Sequence, residues 1–97
     1  WNGAPFAVAS ALPLVATEFG QNDCSATMVT PLMQWLDQHA SGYLAWSWNA
    51  YGPCAPAGGT LRGSPWSLVA DYATGEPNSE YSRAIRDHLA GLPGPAR

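Results

Sequence analysis

Two short apolar segments, residues 13–19 (PLVATEF) and residues 42–48 (GYLAWSW), most constrain how this chain can fold. Each begins at Pro or Gly and is rich in β-branched or aromatic side chains, which predicts a strand buried on both faces. The segment between them places apolar residues at helical spacing: Val29, Leu32, Met33, Leu36 and Ala40. Strand, helix and strand within about 35 residues predict a βαβ unit with parallel strands and a right-handed crossover.

A second amphipathic helix is predicted near the end of the chain, where Asn78 or Ser79 would cap its start. Its apolar face would consist of Tyr81, Ala84, Ile85, His88, Leu89 and Leu92. Ser25 or Thr30 would cap the first helix in the same way. Residues 5–11 are expected to form one or two helical turns. Residues 49–65 would form a loop rich in Gly and Pro, and residues 66–72 would form a short extended piece.

Two parallel strands cannot close a sheet, because strands that are apolar on both sides need cover on both faces and each leaves an unpaired edge. We therefore expect an α/β fold, a partial (β/α)8 TIM barrel made of its last two β/α units, strands seven and eight with their helices. Residues 1–92 would form this carboxyl-terminal portion, and residues 93–97 would fray. The start at Trp1 rather than Met suggests a piece of a longer product. A doubly wound α/β protein is the alternative, although the sequence has no Gly-rich phosphate loop.

Composition argues against several classes of function. The chain of 97 residues has four Arg, no Lys and a net charge of −3, so it offers no basic stripe to a nucleic acid. No apolar run approaches the roughly 20 residues that cross a bilayer, so no membrane partner is expected. The two cysteines, Cys24 and Cys54, allow one intramolecular disulfide, with two buried free thiols as the alternative. They are too few for a four-thiolate metal site, and no other ligand spacing implies a metal or a cofactor.

Glu18 needs an explanation, because it lies at the carboxyl end of an apolar strand. An ionised carboxylate without partners is costly to bury, and in a parallel barrel the carboxyl ends of the strands face the active site. One interpretation is a catalytic carboxylate, and the other is a carboxylate that is exposed at a strand end or paired with an Arg. Asn22 and Asp23 follow in the loop on that side, where they either contact substrate or form a turn.

Several aromatic and polar side chains could contact a sugar. Trp46 and Trp48 lie two residues apart near the end of the second predicted strand, which would place both indoles on one face. They either stack on a sugar ring or fill the core. Asn49 either reaches a sugar hydroxyl or belongs to a turn. Trp1 and Trp66 are not placed by the pattern, and either could face a ligand.

Four motifs occur in a characteristic order: residues 14–20 (LVATEFG), 23–25 (DCS), 35–39 (WLDQH) and 42–49 (GYLAWSWN). Together they resemble the seventh and eighth strands of glycoside hydrolase family 5, in particular its bacterial cellulases, the endo-β-1,4-glucanases. The pattern continues through residues 68–72 (LVADY), 75–77 (GEP) and 86–89 (RDHL). The resemblance covers nearly the whole chain but only the last part of the family's barrel.

The resemblance implies a secreted, retaining glycosidase that acts on a polysaccharide, a β-1,4-glucan. Glu18 matches the family's nucleophile, which forms a glycosyl-enzyme intermediate while a second carboxyl group acts as acid and then as base. Trp46 matches an indole next to the scissile bond, and we expect Trp48 and Asn49 to contact substrate as well. A mannan or another β-glucan is the alternative substrate. A non-catalytic carbohydrate-binding remnant is the alternative function.

The sequence departs from the family in one respect that matters for catalysis. The family's acid/base lies in an Asn-Glu-Pro motif, and no such tripeptide occurs here. Glu76 and Pro77 lie in a predicted turn and are assigned no catalytic role. The remainder of the barrel is therefore an expected partner. The loops after the two predicted strands lie on one side of such a barrel, so a Cys24–Cys54 disulfide would join the loops that carry Glu18 and Trp46.

Overall fold

A computed structural model describes residues 3–51, 54–57, 60–62 and 64–94. Trp1 and most of the tail predicted at 93–97 lie outside the described residues. The helices and strands, in chain order, are α1 (Ala4–Ala9), β1 (Val15–Phe19), α2 (Val29–His39), β2 (Gly42–Ala45), β3 (Ala55–Ala57), β4 (Thr60–Arg62) and α3 (Glu80–Gly91).

The βαβ unit predicted from the sequence is confirmed. Strands β1 and β2 pair in parallel, with α2 between them along the chain, and they form a two-stranded sheet that is not closed. The described residues are thus a small α/β domain. The predicted loop at 49–65 also contains a short antiparallel pair, β3 with β4. The sequence analysis missed this hairpin, although a Gly-Gly dipeptide at 58–59 between two short segments is typical of a hairpin turn.

Strand β1 carries an irregularity at its carboxyl end. Ala16 and Phe19 both pair with β2, and they are three residues apart while their partners in β2 are only two apart. Ala16 and Phe19 both pack on the helix side of the sheet. Thr17 and Glu18, which lie between them, are exposed. The extra residue therefore turns Glu18 away from the core, and bulges that redirect a side chain in this way are frequent beside active sites.

The core lies on one face of the sheet, against α2 and α3. It consists of Phe19, Ala26, Val29, Met33, Leu36, Tyr81 and Ile85. The opposite face is bare, since Val15 is 52% and Leu44 is 62% exposed. The prediction that both strands are buried on both faces is therefore wrong for this chain, because its helices cover only one face.

The two main helices begin in different ways. Ser79 caps α3, as predicted: it forms a reciprocal capping box in which Ser79 and Ser82 each accept a hydrogen bond from the other's backbone N–H. Helix α2 is capped neither by Ser25 nor by Thr30. Its cap comes from Gln21, eight residues before the helix begins, because the Gln21 side chain folds back onto the first turn.

A polar cluster joins α2, α3 and β2 at the amino end of the sheet. One Asp37 oxygen accepts a hydrogen bond from the Tyr43 hydroxyl at 2.7 Å, and the other lies 2.8 Å from Nε2 of His88. Desolvation and the neighbouring Asp37 carboxylate raise the pKa of Tyr43 to about 12. His39 contacts the Phe6 ring of α1 edge to face, with ring centres 5.3 Å apart. Both histidines thus take part in contacts between elements, His39 with α1 and His88 with α2.

Tyr81 connects α3 to the carboxyl ends of both strands. Its side chain is fully buried, and its hydroxyl donates to the carbonyl oxygen of Trp46 at 2.6 Å, with that of Phe19 3.3 Å away. Its backbone N–H donates to the carbonyl oxygen of Cys24 at 3.1 Å. Desolvation raises the pKa of this hydroxyl to about 12. Tyr81 therefore joins the helix to both strand ends through its side chain and to the loop after β1 through its backbone.

Replacing Tyr81 by Phe removes the hydroxyl and leaves the Trp46 carbonyl without this donor. We expect the free energy of unfolding to fall by about 1 to 3 kcal/mol, the usual cost of an unsatisfied buried acceptor. Urea denaturation followed by circular dichroism measures this change. Tyr72→Phe is the matched control, because Tyr72 is exposed and should change stability little. Equal stability of the two variants would contradict the role given to Tyr81.

Stability should also fall at alkaline pH. The unfolded chain releases the Tyr81 proton near a pKa of 10.0, whereas the folded chain keeps it until about 12. Between these values the unfolded state binds fewer protons, so the free energy of unfolding decreases as the pH rises. Urea midpoints measured from about pH 9 to about pH 11 should decline in the wild type. The decline should be shallower in Tyr81→Phe, with a residual part from Tyr43, and equal slopes would count against this assignment.

Candidate functional site

Glu18 and Trp46 line one open cleft at the carboxyl end of the sheet, with a volume of about 250 Å³. Trp66 forms a further wall, and Phe19 and Gly20 complete the lining. Glu18 is exposed, and among the described residues no hydrogen bond or ion pair engages its carboxylate. The structure thus brings together the two residues that the sequence analysis placed nearest to the chemistry, with a free carboxylate facing an aromatic side chain.

Trp46 is held in the cleft by its backbone. Its N–H donates to the carbonyl oxygen of Phe19 at 2.8 Å, which continues the strand pairing by one step, and its own carbonyl accepts from Tyr81. The peptide bond between Trp46 and Ser47 is cis. The Ser47 N–H then donates to the carbonyl oxygen of Trp66 at 2.6 Å. Because these contacts fix the backbone, the indole can remain 49% exposed in the cleft.

Trp48 does not line this cleft. It borders a separate apolar cavity of about 400 Å³, together with Leu44, Leu68 and Leu89. The prediction that Trp46 and Trp48 leave the same face of a strand is wrong, because β2 ends at Ala45. Beyond that residue the backbone pairs with the segment at 66–68, and side chains two residues apart no longer share a face.

Asn49 lies in a tight turn next to the cleft-bearing segment. Its Nδ2 donates to the Ser47 hydroxyl at 2.6 Å, and its backbone N–H donates to the Ser47 carbonyl at 2.8 Å. Its Oδ1 is buried and has no partner among the described residues. The turn chemistry that the sequence analysis weighed is therefore present, and contact with a sugar remains a prediction.

Gln21 organises the loop that follows β1, and the sequence analysis missed it. Its Oε1 accepts from the backbone N–H groups of Met28 and Val29, at 2.9 and 3.2 Å. Its Nε2 donates toward Asp23, Ser25 and Thr27, three side-chain acceptors that share two hydrogens. Gln21 is buried, so these contacts fix the loop beside Glu18. Hydrophobic periodicity does not identify such a buried polar residue, because its hydrogen-bond partners depend on how the loop folds.

The pKa of the Asp23 carboxyl lies below its usual value, chiefly because the Ser25 backbone N–H donates to it. Asp23 and Ser25 thus form the turn that was one of the two interpretations of this segment.

Among the described residues, no group of His, Cys, Asp and Glu side chains could hold a metal ion. In the same part of the chain, no helix is long and apolar enough to cross a bilayer.

The predicted disulfide is present between Cys24 and Cys54, whose Cα atoms are 5.8 Å apart. Cys24 lies in the loop after β1 and Cys54 in the loop after β2, so the bridge joins these two loops. The Asn78 side chain holds the backbone next to the bridge. Its Oδ1 accepts from the Cys54 N–H at 2.6 Å, and its Nδ2 donates to the Ser64 carbonyl at 3.1 Å.

Removal of this disulfide should destabilise the fold. The bridge spans 30 residues of sequence, and closure of a loop of that length stabilises the folded state by about 3 to 4 kcal/mol in the chain-entropy treatment. The double variant Cys24→Ser with Cys54→Ser should lose that amount in urea denaturation without reductant. A reductant should produce the same loss in the wild type and no further loss in the variant, and an unchanged midpoint in the variant would refute the expectation.

No known protein-family model matches this chain, and neither a curated protein nor a solved structure matches it. The geometry of the cleft and the sequence motifs around it are therefore the two supports for a function.

Proposed function

We propose that this chain is the nucleophile-bearing part of a retaining endo-β-1,4-glucanase, a glycosidase that cleaves β-glycosidic bonds in a polysaccharide. The observation that carries the proposal is that Glu18 and Trp46 line one cleft at the carboxyl ends of two parallel strands. In parallel α/β folds this end is where substrates bind. The resemblance of the surrounding motifs to glycoside hydrolase family 5 gives these two residues their roles.

In the proposed mechanism, a Glu18 carboxylate oxygen attacks the anomeric carbon of the sugar while the bond to the leaving oxygen breaks. A covalent glycosyl ester forms at Glu18, and water then hydrolyses it with overall retention of configuration. The Trp46 indole offers an apolar plane on which the C–H face of the sugar ring packs. The exposure of Glu18 leaves its carboxylate free for this attack, since no described residue hydrogen-bonds to it.

The second carboxyl group that this mechanism needs would come from the remainder of the protein. It must lie about 5 to 5.5 Å from Glu18 to protonate the leaving oxygen and then activate water. The bare face of the sheet at Val15 and Leu44 and the two unpaired strand edges are what the last two β/α units of a TIM barrel would present to the other six.

A non-catalytic carbohydrate-binding remnant is the second candidate, and one observation favours it. Among the described residues that line the cleft, Glu18 is the only carboxylate, and the sequence contains no Asn-Glu-Pro motif. A mannan or another β-glucan is the alternative substrate, since one catalytic pair serves several polysaccharides. The disulfide is consistent with an oxidising, extracellular location, so we propose that the protein is secreted.

A mechanism-based label tests the nucleophile without the missing acid. A dinitrophenyl cellobioside with fluorine next to the anomeric carbon carries a leaving group that needs no protonation. Attack by Glu18 would expel dinitrophenolate with the bonding electron pair, and the fluorine would slow hydrolysis of the resulting ester. We expect mass spectrometry to find one fluorocellobiosyl group on wild-type chain, located at Glu18, and none on Glu18→Gln.

Glu76→Gln is the matched control, because Glu76 lies in the turn after Gly75 and outside the cleft. It should be labelled like the wild type. A chain that binds cello-oligosaccharides through Trp46 but takes up no label would support the carbohydrate-binding remnant instead. A chain that neither binds nor reacts would refute both candidates.

A further inference from the structure

A small pocket borders the Cys24–Cys54 disulfide and shares no lining residue with the cleft of the candidate site. It has a volume of about 210 Å³, and both cysteines line it together with Asp23, Ser25 and Glu80. Both cysteines are buried, so this disulfide pocket gives a reagent a route to the bridge. Its volume is below the roughly 300 to 1,000 Å³ typical of ligand sites, so the reagent must be a small molecule.

The two charged side chains that line the disulfide pocket are both acidic. Asp23 and Glu80 are exposed, and neither takes part in an ion pair among the described side chains. The hydrogen bond from the Ser25 backbone N–H lowers the pKa of Asp23 and so keeps its carboxylate ionised. A cleft lined by charges of one sign attracts molecules of the opposite charge and repels those of the same charge. The pocket therefore favours a cationic reagent.

The backbone of Cys24 has a conformation that favours opening of the bridge. Its φ is 64°, in the left-handed region, which is unfavourable for a residue that carries a side chain. The bridge and the hydrogen bond from the Tyr81 N–H to the Cys24 carbonyl both hold the residue there. Breaking the bridge removes one of these restraints, and the loop can then relax. Disulfides under strain are the ones that exchange readily with thiols.

We propose that the Cys24–Cys54 disulfide is an exchange site for small thiols, and that Asp23 and Glu80 make it selective for cationic aminothiols over anionic thiols. This inference does not depend on the proposed function. It assigns a reaction to the bridge, which otherwise serves only to join two loops.

The exchange consists of two displacements at sulfur. The thiolate of one small thiol attacks a bridge sulfur, the S–S bond breaks, and its electron pair leaves on the other cysteine, which takes a proton from water. A second thiolate attacks the resulting mixed disulfide and releases the first cysteine in the same way. Two thiols are thereby oxidised to one small disulfide, and the bridge takes up two electrons and two protons.

Three thiols of similar size test the selectivity on the folded chain of 97 residues: cysteamine, which is cationic, 2-mercaptoethanol, which is neutral, and 3-mercaptopropionate, which is anionic. Excess thiol is added at low salt, samples are trapped with iodoacetamide, and mass spectrometry counts the alkylated cysteines over time. Each rate is divided by the thiolate concentration and by the rate of the same thiol with bis(2-hydroxyethyl) disulfide, which is uncharged. This correction removes the intrinsic reactivity of each thiol.

The corrected rate with cysteamine should exceed that with 3-mercaptopropionate by about 10-fold at low salt, the lower end of the enhancement produced by clefts of one charge sign. At about 1 M salt the ratio should fall to about 2-fold, because the Debye length shrinks to about 3 Å. Glu80→Gln should lower the low-salt ratio by about 3-fold, since it removes one of the two charges.

Glu76→Gln is the matched control, because Glu76 is exposed, lies outside the disulfide pocket and loses the same charge. It should keep the wild-type ratio, and near-ultraviolet circular dichroism establishes that each variant keeps its fold. Equal corrected rates for the three thiols at low salt would refute the selectivity, and equal ratios in the two variants would refute the role of Glu80. A rate that does not rise with thiol concentration would mean that the bridge reacts only after the chain unfolds, which would overturn the exchange site itself.

Discussion

The hydroxyl of Tyr81 is the contact on which the arrangement of the cleft depends. It reaches from α3 across the core to the backbone at the ends of β1 and β2, and it satisfies a carbonyl group where regular strand pairing stops. Backbone groups that leave a sheet inside a protein need such a partner. With its backbone held in this way, Trp46 lines the same cleft as Glu18 and keeps its side chain half exposed.

The loops around the cleft are fixed by hydrogen bonds and one covalent bond rather than by apolar packing. Gln21 fills the turn after β1, Asn78 binds the backbone next to Cys54, and the disulfide joins the two loops. The side chains that face the cleft are left exposed by this arrangement. A rigid support behind free functional groups is what binding and catalytic sites require, since the groups then need little ordering when a ligand arrives.

The sequence predicted the βαβ unit, limited the cap of α3 to Asn78 or Ser79, and left a disulfide and two free thiols as the alternatives for the cysteines. Hydrophobic periodicity is a local property, so it identifies strands and amphipathic helices directly. Ser79 sits immediately before such a helix, and two cysteines permit only one pairing. The meeting of Glu18 and Trp46 followed from the rule that the carboxyl ends of parallel strands lie at one edge of the sheet.

The features that escaped prediction depend on contacts between distant residues. The register shift at Thr17 and Glu18 and the end of β2 at Ala45 are set by what the backbone meets in the folded chain. Trp48 was misplaced for that reason, since an alternation of faces presupposes a strand that continues. Trp66 lies in a segment without regular structure, and its backbone bond to Ser47 and its approach to Gly20 bring it beside the cleft.

The Asp37 cluster with Tyr43 and His88 lies at the amino end of β2, whereas the cleft lies where the strands finish. Substitutions in the Asp37 cluster would change mainly the stability of the fold, and substitutions in the cleft would change the substrate binding that we propose for it. Substitutions at one end of the sheet would therefore have little effect on the residues at the other end. A designer who wants a more stable protein would begin at Asp37 and leave the residues of the cleft unchanged.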